Sequence, residues 1–182
     1  MAQIHKLVLD AATAVLSDAG NGFNASLVAC APGYQIAEVP VIDWDSGSQS
    51  VFRGNLGPGG IKLSQLYAKL ELMMWAGAAI WTGETKGMKW SGRVELHLDF
   101  VVTTSHRRDA TETIEQDETV SLAYAVFDAV VESIMYPETA WGQLAWLATP
   151  PGSPEWPPVA QIEDGWEQIV PIVVGFKVDI PY

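Results

Sequence analysis

The sequence predicts an α+β fold in which two amphipathic helices pack on a single mixed, mostly antiparallel β-sheet that has long flexible loops. Two long segments alternate apolar and polar residues with the two-residue period of a half-buried strand, RVELHLDFVVT at 93–103 and IVPIVVGFKVDI at 169–180. Two other segments repeat apolar residues at helical spacing and would cover the apolar face of this sheet. With 182 residues, of which 48% are hydrophobic, the chain 1–182 is expected to form one domain with a sizeable core.

The first predicted element is a helix. Apolar residues from Ile4 to Leu16 recur at spacings of three and four, which places one apolar stripe on a helix over residues 2–18. Gly20-Asn21-Gly22 follows and is expected to end it.

A short strand and a long loop follow. Residues 34–44 contain several β-branched residues and predict a short strand, in which Pro40 marks an edge or the end of pairing. The Gly/Ser-rich stretch at 45–60 lacks the pattern of any regular element. We expect it to be a flexible loop.

The dense apolar stretch 66–81 is compatible with a helix or a strand. Lys69 and Glu71 alternate with apolar residues, and this alternation favours a strand with a bend or bulge near Gly77. A turn at 83–92 would then join it to the central strand as a long β-hairpin.

The second helix is predicted from Thr113 to about Met135, and Pro137 would end it. The segment Thr113-Ile-Glu-Gln116 resembles a capping box at its start. Negative charge in the first turns is favoured by the helix dipole. The acidic residues there are Glu115, Asp117 and Glu118.

A proline-rich excursion at 149–165 separates this helix from the last strand. It carries five prolines between Pro150 and Pro158, a composition that is typical of extended surface segments. The last strand is predicted over residues 167–180.

Composition excludes several classes of protein. The net charge of -12 and a pI near 4.4 argue against a nucleic-acid-binding surface, which needs clustered Lys and Arg. A single cysteine, Cys30, allows no intrachain disulfide and no cysteine-based metal cluster. The apolar run near the start is too short to span a membrane, so no membrane partner is expected.

Glu95, His97 and Asp99 are the one candidate constellation for chemistry. At positions i, i+2 and i+4 of a strand they project from the same face, where they could bind a metal ion or act in acid–base catalysis. The sequence favours an ordinary solvated strand face, because no other stretch supplies a pocket or supporting ligands. The chain also lacks a phosphate loop and a nucleophile elbow. We therefore expect no catalytic residue, no metal and no cofactor.

The order of elements resembles that of the tail terminator, or tail completion, proteins of tailed bacteriophages. The order is a helix, a short strand, a flexible loop, a long hairpin ending in VELHLDFVV, an acidic-capped helix ETVSLAYAVFDAVVESI and the final strand IVPIVVGFKVDI. The resemblance implies a small α/β subunit with helices against a mixed sheet. Such subunits assemble into a ring, usually hexameric, which caps the tail tube and docks to the head connector.

This resemblance implies a structural virion protein and not an enzyme. The implied partners are further copies of the chain, in a ring expected to be a hexamer, the tail tube protein and the head–tail connector or stopper protein. The ring would be assembled in the host cytoplasm and reside in the neck or tail of the virion. The alternatives are another neck or tail protein, such as a head–tail stopper or tube subunit, and a small metal-dependent enzyme that uses Glu95, His97 and Asp99.

The resemblance also implies that DNA passes through the ring without specific binding. Because a cation on each subunit would multiply around the ring, the inward surface should be acidic or neutral. The candidates for lumen-facing acidic residues are Glu95, Asp99, Glu115, Asp117 and Glu118.

The two long loops are further candidates for function. The segments 45–60 and 149–165 are too long for simple connections in a compact domain. We expect them to be mobile in the free subunit and ordered against neighbours in the ring. Phe52 and Trp156 are the candidate interface residues, since large aromatic rings often anchor such contacts, although a role in packing within the subunit is the alternative.

Overall fold

A computed structural model shows a single mixed sheet with helices on one face. The structure describes residues 2–36, 38–45, 51–53, 68–77, 80–81, 89–105, 112–135, 144–146 and 156–181. The predicted α+β class and the mixed, mostly antiparallel sheet are confirmed. Three α-helices lie within these residues, where the sequence predicted two.

The helices are α1 (Ala2–Leu16), α2 (Phe23–Cys30) and α3 (Glu112–Met135), and a 3-10 helix spans Ala31–Tyr34. The strands are β1 (Val51–Arg53), β2 (Ala68–Ala76), β3 (Ile80–Trp81), β4 (Lys89–Ser105), β5 (Leu144–Trp146), β6 (Ala160–Ile162) and β7 (Gly165–Pro181). The two predicted helices correspond to α1 and α3. None of the described helices has the length and apolar character needed to cross a membrane.

The sheet is built around the two longest strands. Its order is β1-β2-β4-β7-β5, with β3 paired to β4 and β6 paired to β7. β4 and β7 run antiparallel over their full lengths, from Lys89 opposite Pro181 to Ser105 opposite Gly165. β2 is antiparallel to β4, as the predicted hairpin requires, whereas β1 and β2 are parallel.

The helices cover one face of this sheet. The apolar phase of β4 and β7, predicted from the period-2 pattern, joins α1, α2 and α3 in one cluster of buried side chains. Phe100 at the centre of β4 stacks on Phe23 of α2, with ring centroids 4.8 Å apart. The buried apolar area of such residues supplies most of the driving force for folding.

The helix α2 was not predicted. It begins directly after Gly22, where a Cβ atom would lie only 2.3 Å from the Asp18 carbonyl oxygen, so glycine is required for this close approach. The carboxylate of Asp18 also accepts hydrogen bonds from the backbone N–H groups of Gly20 and Asn21, at 3.0 and 2.7 Å. The glycine-rich turn therefore ends α1 and immediately starts a second helix.

The strand predicted at 34–44 is wrong for the residues that are described there. Tyr34 belongs to the 3-10 helix, and 38–44 contain no strand. The side chain of Asn24 bonds both backbone groups of Ile42, donating to its carbonyl over 2.8 Å and accepting from its N–H over 2.9 Å. The side-chain amide of Asn24 therefore makes the two backbone hydrogen bonds that a neighbouring strand would otherwise make with Ile42.

The other face of the sheet, here called the outer face, carries the alternate side chains of β2, β4 and β7. None of them belongs to the buried cluster that the sheet shares with the helices. They are Lys69, Glu71, Met73, Trp75, Glu95, His97, Asp99, Val101, Thr103, Glu167, Ile169, Pro171 and Val173.

The two predicted loops are described in part. Within 45–60, residues 51–53 form β1, and the remainder, apart from Asp45, lies outside the described residues. Within 149–165, residues 156–165 are described, and they include β6. The strand β6 forms a tight hairpin with the start of β7, because Ile162 lies opposite Gly165.

Candidate functional site

Three polar residues of β4 lie at the centre of the outer face. Glu95, His97 and Asp99 are half-buried and alternate with buried apolar residues, which confirms that they project from one face. Nη2 of Arg93 lies 3.2 Å from Oε1 of Glu95, and Nε2 of His97 lies 3.9 Å from Oε2 of the same carboxylate. Glu95 therefore lies between a guanidinium and an imidazole.

The orientation of the His97 imidazole is set by contacts with β2 and with Gly77, the residue that follows β2. It stacks on Trp75, its register partner, with ring centroids 5.0 Å apart and an interplanar angle of 6°. On the same side lies Gly77, where an added Cβ would approach Nε2 of His97 to 3.1 Å. These contacts position the ring and favour a structural role for His97.

Asp99 lies in register between Met73 of β2 and Pro171 of β7. Burial raises the pKa of its carboxyl group, and the nearby His97 lowers it in part. Removal from water disfavours the charged form of a carboxyl group, which explains the direction of the shift. Asp99 is therefore a weaker acid than an exposed aspartate.

Glu95, His97 and Asp99 are spread along the strand and do not converge. Residues i and i+2 of a strand are about 7 Å apart, whereas zinc ligands lie about 2 Å from a shared ion. Within the part of the chain that the structure describes, no group of three or more His, Cys, Asp and Glu side chains is placed to hold a metal ion. The three residues form a row of polar side chains that can contact a neighbouring surface.

Glu115 is a buried residue, and the expectation that it faces solvent is wrong. Its exposed fraction is 4%. Nε1 of Trp166 donates a hydrogen bond to its Oε2 over 3.3 Å, and its own carbonyl accepts one from Oγ1 of Thr119 over 2.9 Å. Oγ1 of Thr119 in turn lies 2.6 Å from Oγ1 of Thr104. This polar cluster ties α3 to β4 and β7, which makes Glu115 a structural residue.

The other two acidic candidates of α3 are less buried. Asp117 is exposed, and Glu118 is half-buried and has an interaction partner. Both can contribute negative charge at the start of α3, where Glu115 cannot reach a surface.

Trp156 packs on residues of its own chain. Its ring lies 4.7 Å from that of Tyr124 and 5.9 Å from that of Phe127, both on α3. The proline-rich excursion is thereby attached to the helix layer in the free chain. Phe52, the other candidate anchor, lies in β1 opposite Met73.

Two outer-face residues of β2 form a buried ion pair that the sequence did not suggest. Nζ of Lys69 lies 2.5 Å from Oε1 of Glu71, and the side chains are only 9% and 5% exposed. The alternation of apolar and polar residues that predicts this strand places both side chains on its solvent-facing side. Their register partners on β4, Thr103 and Val101, are buried as well.

A second polar contact that the sequence did not suggest joins the 3-10 helix to α3. The hydroxyl of Tyr34 donates to Oδ2 of Asp128, and this hydrogen bond, together with burial, raises the pKa of Tyr34 to about 12.

The thiol of Cys30 is also affected by its surroundings. Burial, followed by the charges of Asp128 and Glu132, raises the pKa of the Cys30 thiol. A raised pKa keeps the thiol protonated, which is unlike an activated cysteine nucleophile. In the sequence, the contact between Tyr34 and α3 is signalled by Asp128, a charged residue within the apolar stripe of the predicted helix.

The sequence matches no protein-family model, and no curated protein is significantly similar to it. The outer face is the candidate functional surface, because it combines fixed polar groups with exposed apolar side chains.

Proposed function

We propose that this chain is a structural protein of the tailed-bacteriophage virion, a tail terminator whose copies form a ring that caps the tail tube and joins it to the head connector. The observation that carries the proposal is the order and packing of the elements. A first helix is followed by the antiparallel pair of β2 and β4, the long helix α3 and the closing strand β7. Apart from the short strand predicted at 34–44, which is wrong, this is the order that underlies the resemblance to tail terminator proteins.

The outer face supports a role in assembly. Its apolar residues Ile169 and Val173 are 36% and 45% exposed, although they lie on a central strand of the sheet. A sheet face usually buries its apolar side chains against a second layer. Exposed apolar side chains beside fixed polar groups are typical of surfaces that another protein covers.

The proposed partners are other copies of the chain, in a ring expected to be a hexamer, the tail tube protein and the head–tail connector or stopper protein. The net charge of -12 suits a ring through which DNA slides, because phosphate groups are repelled and not bound. The proposed location is the neck or tail of the virion, after assembly in the host cytoplasm.

Light scattering coupled to gel filtration, with negative-stain imaging, tests the proposal. We expect closed rings of one stoichiometry, and we expect these rings at the ends of purified tail tubes. Rings that bind the connector and not tubes would favour the head–tail stopper alternative, and polymerisation into long tubes would favour a tube subunit. A chain that stays monomeric at every concentration, with or without tubes, would contradict all three.

A further inference from the structure

The C-terminal half of α3 exposes a tyrosine beside two carboxylates. Tyr124, Asp128 and Glu132 follow one another at four-residue spacing, so they lie in one row on the same side of the helix. Tyr124 and Glu132 are exposed, Tyr124 to 48%, and Asp128 is half-buried. The row, together with the neighbouring rings of Tyr34 and Trp156, is here called the α3 face.

The two neighbouring rings border this row directly. The ring of Trp156 lies 4.7 Å from that of Tyr124, measured between centroids, and the hydroxyl of Tyr34 donates to Oδ2 of Asp128. Tyr34 and Trp156 also pack against the hydrophobic core, which fixes their positions. The α3 face therefore holds two carboxylates among three aromatic rings.

The positions of the two carboxylates are unfavourable for the stability of the helix. Like charges four residues apart repel each other. Glu132 also lies in the last turn of α3, where the negative end of the helix dipole favours a cation. After burial, the charges of Asp128 and Glu132 are what raises the pKa of the nearby Cys30 thiol, so their negative potential extends over this part of the surface. Residues that conflict with local stability are often retained for function.

No cation of the described residues offsets these charges. Helix α3 contains no Lys or Arg, and its neighbours α2 and the 3-10 helix contain no charged residue. The ion pairs of the described residues include neither Asp128 nor Glu132. The α3 face is therefore complementary to a positively charged ligand.

Carboxylates beside aromatic rings suit the guanidinium group of arginine in particular. A guanidinium group pairs with carboxylates through a planar fork of N–H donors and also stacks on aromatic rings, whereas the ammonium group of lysine is a strongly hydrated point charge. Tyrosine and tryptophan are also enriched where proteins meet one another. The chemistry of the α3 face therefore favours an arginine side chain of a protein.

A second copy of the chain is a poor source of this arginine. In the described part of the chain, the exposed basic residues are Lys6 and Arg93. Each is already paired within its own chain, Lys6 with Asp10 over 2.5 Å and Arg93 with Glu95 over 3.2 Å. The chain carries 22 Asp and Glu against 10 Lys and Arg. The complementary charge is therefore expected on a different protein.

We infer that the α3 face is a docking surface for an arginine-bearing segment of a different, basic protein, in which a guanidinium group stacks on Tyr124 and pairs with Asp128 and Glu132. The inference goes beyond the proposed ring. It concerns the helix side of the sheet, opposite the outer face, and it holds whether or not the chain forms rings.

Binding of a fluorescein-labelled hexa-arginine peptide, measured by fluorescence anisotropy, tests the docking surface. Glu132→Gln and Tyr124→Ala should each weaken binding about two- to fivefold, the range expected for one exposed ion pair or cation–π contact. Tyr124→Phe keeps the ring and should bind like the wild type. Glu163→Gln removes one exposed carboxylate from the turn between β6 and β7 and is the charge-matched control. Equal weakening by Glu132→Gln and Glu163→Gln, or full binding by Tyr124→Ala, would overturn the inference.

The stability of the Glu132→Gln variant separates docking from a structural role. Removing the repulsion between Asp128 and Glu132 at the end of α3 should raise the denaturant midpoint slightly while peptide binding falls. Glu163→Gln should change neither quantity. Loss of stability together with binding would mean that the helix itself needs Glu132, and it would overturn the role of this residue in docking.

NMR spectra of the indole N–H groups locate the bound peptide. The signal of Trp156, assigned with Trp156→Phe, reports on the α3 face. The signal of Trp75, assigned with Trp75→Phe, reports on the outer face, where this ring stacks on His97. Hexa-arginine should shift the signal of Trp156 and leave that of Trp75 unchanged. A shift of the Trp75 signal alone would place the peptide on the outer face and overturn the inference.

Light scattering separates this inference from the proposed ring. The double variant Tyr124→Ala with Glu132→Gln should show the same assembly state as the wild type. Loss of self-association in the double variant would assign the α3 face to a second copy of the chain and overturn the inference. A wild type that stays monomeric and binds hexa-arginine at the α3 face would support the inference and contradict the ring.

Discussion

The indole N–H of Trp166 donates a hydrogen bond of 3.3 Å to Oε2 of Glu115, which joins the start of β7 to the first turn of α3 across 51 positions of sequence. Both residues are buried. A buried carboxylate needs such donors, because an unpaired charge out of water is costly. The acidic start of α3 is therefore part of the attachment of the helix to the sheet.

Replacing Glu115 should destabilise the chain. Glu115→Ala leaves the buried indole N–H of Trp166 without its acceptor, which costs about 1–3 kcal/mol of unfolding free energy. Asp117→Ala removes an exposed carboxylate from the same turn and should change stability by no more than about 0.5 kcal/mol. Urea unfolding followed by tryptophan fluorescence measures both. Equal effects of the two substitutions would show that the buried contact contributes nothing.

The buried pair of Lys69 and Glu71 should be more sensitive to loss of one partner than to loss of both. Glu71→Ala leaves an ammonium group buried without its counter-ion, which typically costs about 3–5 kcal/mol. The double change Lys69→Met with Glu71→Leu removes both charges at similar volume and should recover most of this stability. Denaturant midpoints compare the three proteins. A double variant as unstable as Glu71→Ala would argue that the outer face needs the ion pair itself.

Alkaline pH should weaken the contact between the 3-10 helix and α3. The pKa of Tyr34 is raised from 10.0 to about 12 in the fold, so the folded state favours the protonated hydroxyl. The resulting stabilisation is complete below about pH 10 and is lost as the pH rises towards about 12. Tyr34→Phe should remove this pH dependence. Unfolding of both proteins across that pH range is the measurement, and a constant difference throughout would contradict the assigned hydrogen bond.

Truncation of Trp156 should release the proline-rich excursion. Its ring rests on Tyr124 and Phe127, so Trp156→Ala should speed protease cleavage within 149–165 severalfold in the free chain. Pro158→Ala changes an exposed residue of the same excursion and serves as the control. Assembly into rings should slow cleavage of the wild type if neighbours also contact the excursion. Unchanged cleavage in the Trp156→Ala variant would mean that other contacts hold the segment.

The fold could be predicted where one periodicity dominates. The alternation in β4 and β7 and the apolar stripes of α1 and α3 each report a single buried face, and all four elements are confirmed. Residues 34–44 could not be predicted correctly, because their backbone is satisfied by the side chain of Asn24 and no local pattern encodes that contact. The helix α2 was missed because eight residues after a glycine turn give little periodicity.

The sequence predicts which face of the strand carries the candidate site residues, and it does not predict which side chains they contact. Periodicity correctly placed Glu95, His97 and Asp99 on one face. It could not show the stacking of His97 on Trp75, which depends on register between strands. The burial of Glu115 depends on how α3 rotates against the sheet, which no local pattern in the sequence encodes.

Charge on the inner surface of the proposed ring should control the passage of DNA. If the subunits surround DNA, two surfaces could line the passage, one at Glu95 and Asp99 of the outer face and one at Asp117 and Glu118 of α3. Glu115 is excluded because it is buried. Lysine at both positions of the lining pair should impair DNA passage in the rings that form, because each added cation is repeated around the ring and binds phosphate.

Particles that are complete except for the variant ring measure this effect through infectivity and DNA release. The neutral pair Glu95→Gln with Asp99→Asn is the matched control for the outer face, since it removes negative charge without adding a phosphate-binding cation. It should pass DNA more readily than the lysine pair. Burial raises the pKa of Asp99, so a neutral amide is tolerated at this position more easily than a lysine ammonium group. Normal infectivity in both lysine variants would contradict the acidic lumen while leaving the ring untouched, whereas impairment by only one of the two pairs would identify the surface that faces the DNA.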